Sequence, residues 1–146
     1  MSEQKNFYLG RSGRPWLKLD FLTVEGAREE LALVADTGCP FDLVLAPEVF
    51  DRLSVFDLPA LSTNFGELLA GRIRLYMPEM GIDRFLVALR SETVGSNLAA
   101  EHPDFSGLVG LPFLRLGEYG GDPSSFYFRY PPHSHFTQED HEQPQA

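Results

Sequence analysis

The chain has 146 residues, of which 43% are hydrophobic, and this is enough for one domain with a single core. Its net charge of −9 excludes the basic surface that binding to nucleic acids or anionic membranes requires. One cysteine cannot form an internal disulfide, and the polar N-terminus lacks the apolar segment of a signal peptide. We therefore expect a cytoplasmic protein that binds neither nucleic acid nor membrane.

Most of the chain has the pattern of short β-strands. Loose alternation of apolar and polar residues, together with short apolar runs, predicts these strands. They cover residues 16–24, 31–35, 43–45, 68–77, 82–90 and 126–130.

Two short helices complete the prediction. The first begins at Ala46-Pro47-Glu48, where proline occupies the first helical position, and the second covers residues 113–116. Residues 91–106 are polar and are expected to be irregular. Short strands at close spacing with two short helices indicate a mostly-β, barrel-like domain.

Composition divides the chain into three segments. They are an N-terminal arm at residues 1–12, a folded domain at 13–130 and a polar tail at 131–146. The tail is rich in Pro, Gln, His and acidic residues, and we expect it to be disordered. Its histidines His133, His135 and His141 match no zinc-binding spacing, so we expect no metal there.

The first motif of interest is Asp36-Thr37-Gly38, which follows the apolar run 32–35. A carboxylate at the end of a buried strand costs free energy unless it has a use. Two such carboxylates face to face would share one proton and could activate water. The sequence contains one Asp-Thr-Gly, so a second carboxylate would come from a second copy of the chain. The alternative is an ordinary turn, in which Asp36 accepts a hydrogen bond and Gly38 provides a positive φ.

A second motif lies downstream, where the apolar residues Leu108 and Val109 precede Gly110 and a predicted short helix. In this order the two motifs resemble the retropepsin-like aspartic proteases (clan AA), and most closely the small bacterial single-domain type. The resemblance covers roughly residues 13–130. It implies a closed acid-protease-type β-barrel with one lobe per chain. It also implies a homodimeric aspartic endopeptidase that acts on a peptide or protein substrate.

The resemblance assigns roles to the residues of both motifs. Asp36 of each protomer is the catalytic residue, and the hydroxyl of Thr37 bonds across the two loops. Gly38 allows the loops to approach each other closely. The apolar segment Leu108, Val109 and Gly110 supports the loop from below. The implied reaction uses water and two carboxylates, so we expect no cofactor.

A third segment of interest is residues 61–67, which stand where the flap of the family would lie. Asn64 and Gly66 suit a tight turn at its tip, and Phe65 would touch the substrate. An ordinary surface turn explains the same residues equally well. The segment lacks the Gly-rich tip of the retroviral enzymes.

Two further interpretations remain open. Cys39 follows the first motif, and we expect a partly buried thiol there, because a nucleophilic thiol would want a His partner and none lies near it in sequence. A non-catalytic peptide- or protein-binding module on the same fold is the alternative to an enzyme, because a fold does not determine an activity. The two functions differ in whether two Asp36 carboxylates meet in a dimer.

Overall fold

The computed structural model describes residues 2–9, 13–64 and 66–130. In these ranges the strands are β1 (Ser2–Phe7), β2 (Trp16–Leu22), β3 (Arg28–Asp36), β4 (Leu43–Leu45), β5 (Ser54–Thr63), β6 (Gly66–Met77), β7 (Ile82–Arg90), β8 (Phe105–Gly110), β9 (Glu118–Gly121) and β10 (Ser125–Tyr130). The helices are α1 (Pro47–Leu53), α2 (Glu92–Glu101) and α3 (Leu111–Leu114), with a 3₁₀ turn at Pro78–Met80.

Seven strands form one sheet in the order β2-β3-β8-β4-β7-β6-β5. The sheet closes on itself because β2 also pairs with β6, where Phe21 lies opposite Leu75 and Leu22 opposite Arg74. Six strands therefore make a closed barrel, and β5 extends from it as the outer strand of a long hairpin with β6. The predicted mostly-β barrel is confirmed.

The barrel interior is filled by the alternate side chains of its strands. In β2, for example, Leu17, Leu19 and Phe21 are fully buried, whereas Lys18 between them is exposed. This period of two is the one that a half-buried strand requires, and it explains why β2 was predictable. Helix α3 closes the interior with Phe113, whose ring stacks on Phe128 of β10.

A second sheet of three strands has the order β1-β10-β9. The N-terminal arm contributes β1, and the side chain of Gln4 in this strand bonds to both backbone groups of Lys18 at the edge of β2. The side-chain amide of Asn6 donates to the Trp16 carbonyl in the same way. These amides satisfy edge groups of the barrel that no neighbouring strand reaches.

Helix α2 is the main departure from the prediction, which placed irregular chain at 91–106 and two helices in all. The hydroxyl of Ser91 accepts a hydrogen bond from the Val94 N–H (3.1 Å) and so caps the helix. Val94, Gly95 and Leu98 face the barrel, and the other positions are exposed. The apolar stripe is so narrow that the segment reads as polar in sequence.

Strand β5 is a further departure, because no strand was predicted between α1 and residue 68. It contains Pro59, which cannot donate to a ladder and is tolerated because β5 is an edge strand. Strands β1, β8 and β9 were also not predicted. The short helix near residue 113 is confirmed, although it begins at Leu111.

The predicted disordered tail lies outside the described residues. Among the residues described, no helix is both long and apolar enough to cross a membrane.

Candidate active site

The site is built around the loop that joins β3 to β4. Strand β8 lies between these two strands, parallel to β3 and antiparallel to β4. Asp36 ends β3 directly beside Gly110, which ends β8. The first and second sequence motifs are therefore neighbours in space, although helices α1 and α2 and the four strands β4 to β7 separate them along the chain.

Backbone hydrogen bonds from β8 hold this loop in place. The Gly110 N–H donates to the Asp42 carbonyl (2.9 Å), and the Leu111 N–H donates to the Cys39 carbonyl (3.0 Å). Within the loop, the Cys39 N–H donates to the carbonyl of Asp36 (3.0 Å). The position of Asp36 thus depends on bonds made at both ends of the loop.

Gly110 has no space for a side chain. A Cβ added there would overlap the carbonyl oxygen of Phe41 and would come 2.7 Å from that of Cys39. Because two loop carbonyls approach so closely, the backbone of β8 acts as the floor of the loop.

The Asp36 carboxylate is half-buried, and its Oδ1 accepts a hydrogen bond from the Gly38 N–H (2.8 Å). This bond is the turn-acceptor role that the alternative interpretation gave to Asp36. The positive φ that it gave to Gly38 is wrong, since Gly38 is not among the described glycines with positive φ. A Cβ at Gly38 would lie 3.2 Å from Asp36 Oδ1, so glycine instead leaves room beside the carboxylate.

Asp36 opens into a cleft of about 480 Å³ between the loop and the β5–β6 hairpin. Besides Asp36, its lining consists of Gly38, Cys39, Pro40, Phe41, Val44, Ser62, Thr63, Asn64, Leu68, Leu89, Val94 and Leu108. Among the described residues that line it, Asp36 is the only one with a charge. A single carboxylate thus faces a mostly apolar space of the size that binds small ligands or peptide side chains.

The tip of the β5–β6 hairpin forms one wall of this cleft. Thr63 pairs with Gly66 across the turn, and the Thr63 hydroxyl donates to the Gly66 carbonyl (2.8 Å). Gly66 has a φ of +95°, which favours glycine. Asn64 lines the cleft, Gly66 lies in the turn outside the lining, and Phe65 is outside the described residues.

The remaining predicted residues lie around the cleft rather than in it. Thr37 is exposed at the tip of the loop. Leu108 lines the cleft, whereas its neighbour Val109 points the other way and is fully buried in the barrel. The two residues alternate because β8 is a strand.

Cys39 is a buried thiol in the wall of the cleft. Its Sγ donates to the Phe41 carbonyl (3.6 Å), and burial raises the pKa of the thiol, with the nearby Asp36 charge acting in the same direction. Neither effect makes a nucleophile, because the thiolate is the reactive form. His102, the histidine within the described ranges, lines a different pocket beside Trp16.

Three apolar residues that line the cleft were not predicted as site residues from the sequence. Val94 lies in the helix that was not predicted, and Leu68 and Leu89 were read as ordinary strand residues. The one available signal was the spacing of Val94 and Leu98, four residues apart on one helix face.

Among the described residues, no group of three or more His, Cys, Asp or Glu side chains is placed to hold a metal. The three histidines of the tail, where we expected no metal, lie outside the described ranges.

Comparison with solved structures finds a similar chain, a retropepsin-like aspartic protease from Rickettsia conorii. The two share 18% identity over 87% of this chain and 98% of that chain, with a TM-score of 0.48. It is of the same class as the family that the two motifs resemble. No family model and no curated protein matches the sequence.

Proposed function

We propose that the protein is an aspartic endopeptidase that acts as a homodimer on a peptide or protein substrate. The observation that carries the proposal is the position of Asp36, at the end of a buried strand, in a loop held by β8, and facing a cleft under a hairpin tip. A carboxylate held this firmly beside an open cleft is suited to act on what binds there.

The dimer follows from the number of carboxylates. Among the described residues one chain brings one acid to the cleft, and the mechanism needs two. The residues next to Asp36 at the loop tip, Thr37 and Gly38, are exposed, so a second copy can approach them. Two Asp36 carboxylates about 3 Å apart would share one proton, because both cannot ionise at that distance.

In this proposal the ionised carboxylate takes a proton from a water molecule, and the resulting hydroxide attacks the carbonyl carbon of the peptide bond. The protonated carboxylate gives its proton to the carbonyl oxygen. The first carboxyl group then gives the proton it took from water to the amide nitrogen, while the second carboxylate takes a proton from a hydroxyl of the tetrahedral intermediate. The C–N bond breaks, the amine leaves, and the pair again holds one proton. The hairpin tip, Ser62 to Asn64, would cover the peptide and exclude other water.

We keep the cytoplasm as the proposed compartment, since the one cysteine cannot form an internal disulfide. The acidic chain, with a net charge of −9, disfavours nucleic-acid and anionic membrane partners.

A binding module without catalysis is the second candidate. It is favoured by the presence of a single carboxylate in the cleft of one chain, because an apolar cleft alone can hold a peptide.

A peptide-library digest read by mass spectrometry separates the two. We expect wild type to cut a subset of peptides and Asp36→Asn to cut none, while Asp57→Asn, which changes an exposed carboxylate in β5, behaves as wild type. Cleavage that survives Asp36→Asn would contradict the mechanism. Binding without cleavage by all three proteins would support the binding module.

A further inference from the structure

An apolar surface continues from the cleft along the outside of the barrel. Cross-strand register places Leu58, Ala70 and Leu89 side by side, and Phe56, Arg72 and Val87 form the next row. Phe85, opposite Arg74, begins the row after that. Side chains that oppose each other across paired strands share a face, so these rows lie on one surface. We call Phe56, Arg72, Phe85 and Val87 the outer strip.

The two phenylalanines of the outer strip are unusually exposed for large apolar side chains. Phe56 is 56% exposed and Phe85 43% exposed, and their ring centroids lie 5.9 Å apart. Leu89 in the first row lines the cleft and is therefore the link between cleft and strip. Two exposed aromatic rings in contact with each other form an apolar patch of the kind found at binding surfaces.

The strip also contains a positively charged side chain, that of Arg72, which is exposed. Arg74, two residues along the strand, makes two hydrogen bonds of 2.8 Å to the carboxylate of Asp83. Among the described residues, by contrast, no ion pair or hydrogen bond of the Arg72 side chain is found, and Arg72 is exposed. In a chain with a net charge of −9, an available guanidinium in the same row as Phe56, one row from Phe85, matches a ligand that has a carboxylate among apolar side chains.

We propose that the outer strip holds the part of an extended peptide substrate that lies beyond the scissile bond, with an acidic side chain at Arg72 and an apolar one at Phe56 and Phe85. The inference rests on the proposed function in that a peptide occupies the cleft. Arg72 lies two residues beyond Ala70 and four beyond Leu68, or roughly 7–13 Å along the strand. Because an extended peptide has a similar rise, the acidic residue would stand about two to four positions from the side chain in the cleft.

Binding to the Asp36→Asn protein tests this without requiring cleavage. The probes are fluorescein-labelled dodecapeptides with a central Phe-Leu pair, in which a single Glu is moved through the other positions, with Gln at the same position as the reference. We expect Glu to bind about three- to tenfold more tightly than Gln at two to four positions from the pair and nowhere else. In Asp36→Asn/Arg72→Glu the preference should reverse, so that a Lys peptide binds more tightly than the Glu peptide.

Two control variants are matched to the test variants, one to the charge reversal at Arg72 and one to the loss of an apolar side chain at Phe56. Arg84→Glu reverses an exposed charge opposite Leu75, outside the strip, and should leave the preference for Glu unchanged. Phe56→Ser should weaken binding of every long peptide, whereas Leu69→Ser, at a side chain that is 57% exposed outside the strip, should not.

If Arg72→Glu changes the affinity for the Glu and Gln peptides equally, the inference is overturned. If the Glu preference responds to Arg72 as expected but wild type cuts none of the peptides, the outer strip is supported and the proposed catalysis alone fails.

Discussion

At the scale of single residues, Asp36 combines a fixed backbone with a carboxylate in an open cleft. If two Asp36 carboxylates share a proton, peptidase activity should follow a bell-shaped pH profile. Activity falls at low pH because both carboxylates are protonated, and at high pH because the shared proton is lost. Measuring kcat/KM of a cleaved peptide against pH tests this. A rate that rises steadily with pH would instead indicate a different base.

Gly110 is the residue whose substitution should harm the loop most directly. Gly110→Val forces a side chain into the carbonyls of Phe41 and Cys39, and overpacking of this kind typically costs about 1–3 kcal/mol. We expect a lower melting temperature together with loss of activity. Ala60→Val, at an exposed position of β5, serves as the matched control. Equal melting temperatures for Gly110→Val and wild type would show that β8 does not support the loop.

The thiol of Cys39 should make the folded state less stable in alkali. Burial raises the pKa of Cys39 in the folded protein, so the unfolded chain loses this proton at a lower pH. The free energy of unfolding should therefore be unaffected at neutral pH and should fall as pH rises through the ordinary thiol range. Urea titrations at several pH values measure it. Cys39→Ala should remove that part of the decline, and an identical decline in this variant would contradict the assignment.

At the scale of elements, α2 connects the stability of the fold to the shape of the cleft. Ser91→Ala removes the capping bond to the Val94 N–H and should cost about 1 kcal/mol. Without this bond the first turn of α2 opens more often, so its amide hydrogen exchange should become faster. The cleft is affected because Val94 in this turn lines it. Ser96→Ala, an exposed change in the same helix, should do neither. Unchanged exchange in Ser91→Ala would mean that packing alone holds this turn.

The elements also show what a sequence can predict here. Strand β2 was predicted from its loose alternation, and β3, β4 and β7 contain short apolar runs that the same reasoning detects. Strand β5 was missed because it contains Pro59 and mostly exposed side chains, so its sequence lacks the usual strand pattern. Helix α2 was missed because only three of its residues, Val94, Gly95 and Leu98, are buried and the rest of the helix is mostly polar. In the cleft, Asp36 was predicted from its motif. The cleft residues Leu68, Leu89 and Val94 were not, because their meeting depends on tertiary pairing that no local pattern contains.

At the scale of the whole molecule, the proposed dimer should depend on the tip of the Asp36 loop. Thr37→Glu adds a charge at this exposed tip, and in a symmetric dimer the two new carboxylates would repel each other. We expect the variant to sediment as a monomer with normal melting behaviour and no activity. Thr93→Glu adds the same charge at an exposed position of α2 and should behave as wild type. A monomeric Thr37→Glu with full activity would exclude the shared site.

Strand β10 constrains how two copies can meet. It lies between β1 and β9, so neither of its edges is available for pairing with another chain. Within the described residues, the three-stranded sheet can be extended by a second copy only at β1 or β9.

Because β8 is inserted between β3 and β4, the Asp36 loop lacks its support while the chain is still being synthesised. Asp36 is synthesised before the strand that fixes its loop, which begins at Phe105 and ends at Gly110. Pairing over such a sequence separation forms late, because loop closure must come first. A nascent chain that stops before β8 therefore carries the carboxylate without the support that positions it. If the proposed function holds, the order of synthesis gives a period in which the unfinished site acts neither on other chains nor on this one.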